Sequence, residues 1–234
     1  METTSILNEP SLHQSYERDG YCVVPQLFEA SECGAWKEEA LRVLREHAKP
    51  AATVYVGAAA ASAVFYAMAS HSRLIAVLRE IMPQGIAFLS DKIVFKSQHQ
   101  SFATPWHCDA AYWPGTRPKV SVWIALDEVS AENGALKVLP GSHRRDWQHK
   151  NSDGSLSNHE FPQTTTPDWD EAEERVCELP QGGIIVFSDR LLHASCPNHA
   201  GLDRYSLIST YHAPAADEPF DLPFAARHVI ASEN

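Results

Sequence analysis

Long apolar runs, paired cysteines and basic clusters are all missing from this chain, and each absence removes a class of protein. No stretch approaches the roughly 18 apolar residues that a membrane span needs, so no transmembrane helix is expected. The five cysteines (Cys22, Cys33, Cys108, Cys177 and Cys196) are odd in number and contain no Cys-x-x-Cys pair. Neither a disulfide framework nor a zinc site is therefore expected, and a reducing compartment follows. The opening METTSILNEP has no basic segment and no apolar run, and Ser232-Glu233-Asn234 is not a peroxisomal address, so the cytoplasm is the expected location. Lys and Arg number 19 against 30 Asp and Glu, a net charge of −11 without a basic patch. That balance argues against nucleic acid or an anionic membrane as the main partner. Internal repeats and low-complexity tracts are also lacking.

What is present is an ordinary globular composition, 44% hydrophobic and 21% charged over 234 residues, enough for a single domain spanning 1–234. The first third, about 1–84, reads mostly helical. Helices are expected from Ser11 to Asp19, stopping at Gly20, and from Ser31 to His47, with Ala35, Trp36, Ala40, Leu41, Val43 and Leu44 as the apolar stripe. Two more are expected over Ala58–Ala69 and His71–Ile81, with Tyr21–Val24 as an early strand. From Ile86 the texture changes to short runs rich in Val, Ile and aromatics: Ile86–Leu89, Lys92–Lys96, Lys119–Leu126, Ala135–Leu139, Gly183–Phe187 and Arg204–His212. Helices first and strands after predict an α+β fold, mainly β, with helices packed on one face of a β-sandwich or barrel over about 85–212. The polar stretch from His143 to Glu174 reads as an insertion, either lid or disorder, and 213–234 as a tail.

The chemistry concentrates at His107-Cys108-Asp109. On a strand, His107 and Asp109 share one face while Cys108 points away, which makes an imidazole–carboxylate chelate in want of a third ligand. His193, just after the apolar run Gly183–Phe187, is the candidate. Two imidazoles and one carboxylate, with no thiolate, suit Fe(II) in a facial triad that leaves half the coordination sphere open. The His-x-Asp spacing alone arises often by chance; the downstream residues give it context. Arg204 and Ser206, two apart at the head of a strand, can together hold a carboxylate, the Arg by a charge-assisted pair.

These pieces, with Val122-Trp123-Ile124-Ala125-Leu126, Glu132-Asn133-Gly134-Ala135-Leu136 and Val138 through His143, closely resemble the phytanoyl-CoA dioxygenase family. The opening Tyr16 to Tyr21 and the segment from Gly182 to Ser206 resemble it too. The resemblance implies a double-stranded β-helix (jelly roll, cupin-like) with Fe(II) and 2-oxoglutarate as cofactors and ascorbate as a supporting reductant. It implies His107, Asp109 and His193 as iron ligands and catalytic residues, Arg204 on the far carboxylate of 2-oxoglutarate with Ser206 as its helper, and Trp123 as a wall of that pocket. Cys108 stands where many relatives carry Gln. The implied activity is oxidation, most simply hydroxylation, of an unactivated C–H bond in a small organic molecule with O2, releasing succinate and CO2, in secondary metabolism for a compact relative. Asp109 argues against the halogenating relatives. A non-catalytic small-molecule-binding or sensing protein of the same fold, or a cupin-type metalloenzyme independent of 2-oxoglutarate, stays open as an alternative. Trp106, Tyr112 and Trp113 are candidate pocket residues, and the spacing of Lys92 and Lys96 allows one of them to face inward.

Overall fold

The computed structural model describes residues 10–49, 52–97, 102–112, 117–147, 169–214 and 225–231. Trp113 and most of the expected His143–Glu174 insertion lie outside them.

Helix α1 (Leu12–Asp19) begins with a capping box: the Ser11 hydroxyl accepts from the Gln14 N–H while the Gln14 side chain reaches back to Ser11. Gly20, at φ 82°, ends it in the left-handed conformation. A side chain there would also meet the His143 imidazole. Strand β1 (Tyr21–Val24) leads to α2 (Ala30–His47), which buries Cys33, Trp36, Ala40 and Val43. Ala35, expected in that stripe, is exposed, because it sits about 100° around the helix from Trp36.

After β2 (Val54–Val56), the helix expected from Ala58 to Ala69 is two pieces, α3 (Ala58–Ala61) and α4 (Ala63–Met68). Ser62 divides them. It is extended, and its hydroxyl accepts from the N–H groups of Val64 and Phe65, so a local cap outcompetes a continuous ladder. Helix α5 (Ser72–Ile81) buries Leu74, Ile75, Val77, Leu78 and Ile81.

The strands that follow are β3 (Ile86–Lys96), β4 (Thr104–His107), β5 (Lys119–Ala125), β6 (Leu136–Val138), β7 (Arg175–Cys177), β8 (Ile184–Ser188), β9 (His193–Ser195), β10 (Arg204–His212) and β11 (His228–Ala231). The larger sheet runs β1-β8-β5-β10-β3-β11, with β2 also on β3; the smaller runs β4-β9-β6-β7. Ile86–Leu89 and Lys92–Lys96, expected as separate strands, form one long β3. The polar Ser90-Asp91 between them stays in the sheet because the buried Asp91 carboxylate accepts the Ala59 N–H at 2.9 Å and so ties β3 to α3.

Alternation splits the larger sheet into two faces. Val122, Ile124, Ile184, Val186, Leu207 and Tyr211 pack outward against the helices. Trp123, Ala125, Ile185, Phe187 and Ile208 pack inward against Leu136, Val138 and Cys177 of the smaller sheet. The result is the expected double-stranded β-helix with helices on one face, and its interior houses the candidate site.

Candidate active site

Strand pairing explains how residues so far apart in sequence meet. His107 ends β4 directly opposite His193 at the start of β9. Their ring centroids are 4.2 Å apart. Asp109 does not continue the strand, as alternation had suggested; it opens a 3-10 turn, Asp109–Tyr112, that folds its carboxylate back over the pair. Its Oδ1 lies 3.6 Å from His107 Nε2 and 3.8 Å from His193 Nε2. All three residues are buried, and their ligand atoms lie within 4.8 Å of one another.

The surroundings fit a metal ion. His107 Nδ1 is 2.9 Å from the Pro105 carbonyl and His193 Nδ1 is 2.9 Å from the Leu191 carbonyl. A carbonyl can only accept, so each Nδ1 carries a proton and each ring presents its Nε2 toward Asp109. Burial, and then the neighbouring His107, push the His193 imidazole down to about 3, which keeps it in the ligating neutral form. Burial alone would raise Asp109, but the Lys92 ammonium is the chief influence that outweighs it and holds the carboxylate far below its usual range. Among the described residues Asp109 Oδ1, which is sealed from water, has no geometric hydrogen-bond donor, and Oδ2 has the Ser121 hydroxyl at 3.5 Å. A buried, ionised oxygen facing two imidazole Nε2 atoms is a site fitted to a cation.

Across the barrel, Arg204 is 2% exposed and fixed by three acceptors: the Ser206 hydroxyl at 2.8 Å, the Gly134 carbonyl at 2.7 Å and the Asn133 carbonyl at 3.3 Å. Its guanidinium lies over the Trp123 ring, 5.2 Å from the centroid. Lys96 is equally buried beside it, its ammonium donating to the Phe102 and Cys196 carbonyls at 2.5 and 2.6 Å. Burial and the like charge of Arg204 push Lys96 down to about 7, and burial brings Arg204 down to about 10. Neither cation has an ion-pair partner among the described residues, so this end of the barrel is prepared for an anion. Gly134 must be glycine here: at φ 101° its backbone is in the left-handed region, and a Cβ would collide with the Lys96 side chain.

Sequence reasoning singled out His107, Asp109, His193, Arg204, Ser206 and Trp123, and the structure brings them to one interior. It missed Asn133 and Gly134, read only as a turn, whose carbonyls aim Arg204. It also missed Ser121, which has no motif around it. Both Lys92 and Lys96 lie on the inward face of β3, not one of them. Of the aromatics, Tyr112 is 6.3 Å from the His107 ring, whereas Trp106 turns away to stack edge-on with Trp169. Cys108 also points away from the triad, as expected, and packs with Leu139 and Leu192. His143 is half-buried against Gly20 rather than in the site.

Two buried histidines and a carboxylate on one wall of a double-stranded β-helix, facing a buried and fixed arginine, make a donor set that fits a divalent metal ion of the 2-His-1-carboxylate kind. The chain belongs to the phytanoyl-CoA dioxygenase family, whose model matches residues 16–205. It is 32% identical over 150 residues to a probable alpha-ketoglutarate-dependent hypophosphite dioxygenase of Stutzerimonas stutzeri, covering 62% of this chain and 51% of that protein. It is 24% identical to the L-proline trans-4-hydroxylase of Streptomyces griseoviridis, over 84% of both chains. The match thus spans about half the length of the first relative and most of the second. Among solved structures, the epimerase SnoN in complex with Fe3+, alpha ketoglutarate and nogalamycin RO superposes with a TM-score of 0.73 at 22% identity, over 92% of this chain and 90% of that one, which establishes a common fold.

Proposed function

We propose that this protein is a dioxygenase that uses Fe(II) and 2-oxoglutarate to oxidise a small organic molecule, most simply by hydroxylating an unactivated C–H bond, with release of succinate and CO2. The observation that carries the reading is the donor-less Asp109 oxygen among the two imidazoles, set opposite the unpaired Arg204. His107, Asp109 and His193 would hold the ferrous ion. Bound there with 2-oxoglutarate, it supplies oxygen activation coupled to decarboxylation.

The chain's own residues do the rest. Arg204 and Ser206 take the far carboxylate and so set the direction in which 2-oxoglutarate enters. Asn133 and Gly134 hold the guanidinium in place before binding, so little reorganisation is needed. Trp123 walls the pocket, while Ile185, Phe187 and Ile208 keep that interior dry. The relatives' names point to hypophosphite, L-proline and ectoine as their substrates, and we take the substrate of this chain to be likewise a small molecule. A reducing setting such as the cytoplasm accords with five cysteines, none of them in a disulfide among the described residues. No helix among the described residues is long and apolar enough to cross a membrane.

The Arg204 pocket favours this reading over a cupin-type metalloenzyme that does not use 2-oxoglutarate, for which a buried, aimed guanidinium would have no purpose. Purified protein given Fe(II), 2-oxoglutarate and ascorbate in air should form succinate slowly even without a second substrate, and a chelator should stop it. Succinate at the level of protein-free controls, from protein shown to bind Fe(II), would sink the proposal and leave the binding or sensing alternative.

A further inference from the structure

The larger sheet's inner face can be read as rows running across β3, β10 and β5. Lys96 stands opposite Arg204, Val94 opposite Ser206, Lys92 opposite Ile208, and Ser90 opposite Thr210. Thr210 is in turn opposite Ser121, whose hydroxyl touches both Thr210 and Asp109. Going from Arg204 to Thr210 therefore walks from the carboxylate pocket to the metal ligands, and Lys92 stands one step from the metal end. Its side chain shares the face of Val94 and Ile208, both packed in the cluster between the sheets, so it projects into the barrel.

Lys92 differs from the other interior cations. Arg204 and Lys96 are sealed and each makes several hydrogen bonds, whereas Lys92 is half-buried and has no hydrogen bond or ion pair among the described residues. Its charge reaches both Asp109 and His193. Charge balance sharpens the point. The ferrous ion and Arg204 together match Asp109 and the two carboxylates of 2-oxoglutarate, and Lys96 can give up its proton near neutral pH. Lys92 is then the surplus positive charge on the inner face at the metal end, where an anionic group could meet it. Its partial exposure leaves it reachable by a ligand that arrives after the cosubstrate.

We propose that Lys92 binds an anionic oxygen group, such as a carboxylate, on the substrate, which makes the preferred substrates small organic anions and Lys92 the residue that selects them. The inference rests on the Fe(II)/2-oxoglutarate reading of this site. The test uses protein loaded with Mn(II), as a redox-silent stand-in, and saturating 2-oxoglutarate. Calorimetric titration with cyclohexanecarboxylate and benzoate is compared with titration by cyclohexanecarboxamide and benzamide, in wild type, Lys92→Met and Lys92→Arg.

Acids should bind wild type about tenfold or more tightly than their amides, the range expected for a charge-assisted hydrogen bond in a desolvated site. Lys92→Met should lose that preference, Lys92→Arg should keep it, and both should bind 2-oxoglutarate within about threefold of wild type, a difference well under one charged hydrogen bond. Amides binding as well as acids, no binding of either acid to wild type, or a Lys92→Met variant whose 2-oxoglutarate affinity falls as far as its acid affinity would each overturn the assignment. Wild type that binds no 2-oxoglutarate in the presence of Mn(II) would instead count against the cofactor reading itself.

Discussion

A buried polar atom left without a partner costs about 1–3 kcal/mol, more when charged. Asp109 Oδ1 is buried without a hydrogen-bond partner among the described residues, a cost that a bound cation would offset. His107→Ala and Asp109→Ala should each reduce Fe(II)-dependent succinate formation to the level of controls while circular dichroism stays native; residual turnover in either would break the triad. Arg204 stands at the other end of the interior from the candidate metal ligands. Arg204→Met should raise the 2-oxoglutarate concentration for half-saturation about 10- to 100-fold, as loss of a charged hydrogen bond of roughly 1.5–3 kcal/mol requires, and shift metal affinity less than about threefold. Equal losses in both titrations would strip Arg204 of its role. The three candidate ligands were legible because few residue types suit a metal ion, and Arg204 because a buried cation at the head of a strand suggests an anion to bind. Asn133 and Gly134 were not, since a backbone carbonyl leaves no signature in residue type. Ser121 escaped for a related reason: a hydroxyl on a strand is common, and only the 3-10 turn at Asp109 gives this one something to bond.

Among the elements, helices with one clear stripe were readable to within a residue or two, whereas the division at Ser62 turned on a single hydroxyl bonding back to the chain. The short strands β4, β7 and β9, only 3 or 4 residues each, carry too little periodicity to announce themselves; tertiary pairing defines them. Asp91 shows how a polar residue can extend a strand instead of ending it. Burial is the chief cause that pushes its carboxyl up to about 6, against the backbone donors that lower it. The folded value therefore exceeds the unfolded one near 3.9, so between the two the folded state retains a proton that the unfolded chain has released. This group's contribution to stability is fullest below about pH 4 and declines as pH rises toward 6, by about 3 kcal/mol in all. Asp91→Asn removes the titration. Urea unfolding from pH 4 to 7 should show wild type losing about that much relative to the variant. Parallel stability curves would mean that the carboxyl is not perturbed in the fold.

For the molecule as a whole, the site is a bridge between its two sheets. The smaller sheet supplies His107 and His193 from β4 and β9, and the larger supplies Ser121, Lys92, Lys96 and Arg204 from β5, β3 and β10. A metal and a dicarboxylate bound between them would tie the layers together, and whatever binds only the folded state stabilises it by mass action. At a hundred times its dissociation constant a single ligand adds about 2.7 kcal/mol. In a domain of this size that corresponds to a rise in Tm of roughly 5–11 °C. Because 2-oxoglutarate would chelate the metal at one end and meet Arg204 at the other, its stabilisation should depend on metal. Differential scanning fluorimetry should therefore show the full rise with Mn(II) and 2-oxoglutarate together, and under about 2 °C with 2-oxoglutarate alone, the difference being the coupling between the two ligands. Asp109→Ala should lose the joint effect. Arg204→Met should lose the part due to 2-oxoglutarate and keep the part due to metal. A 2-oxoglutarate shift of equal size with and without metal would mean that the dicarboxylate binds elsewhere, and the two ends of this barrel would then not belong to one site.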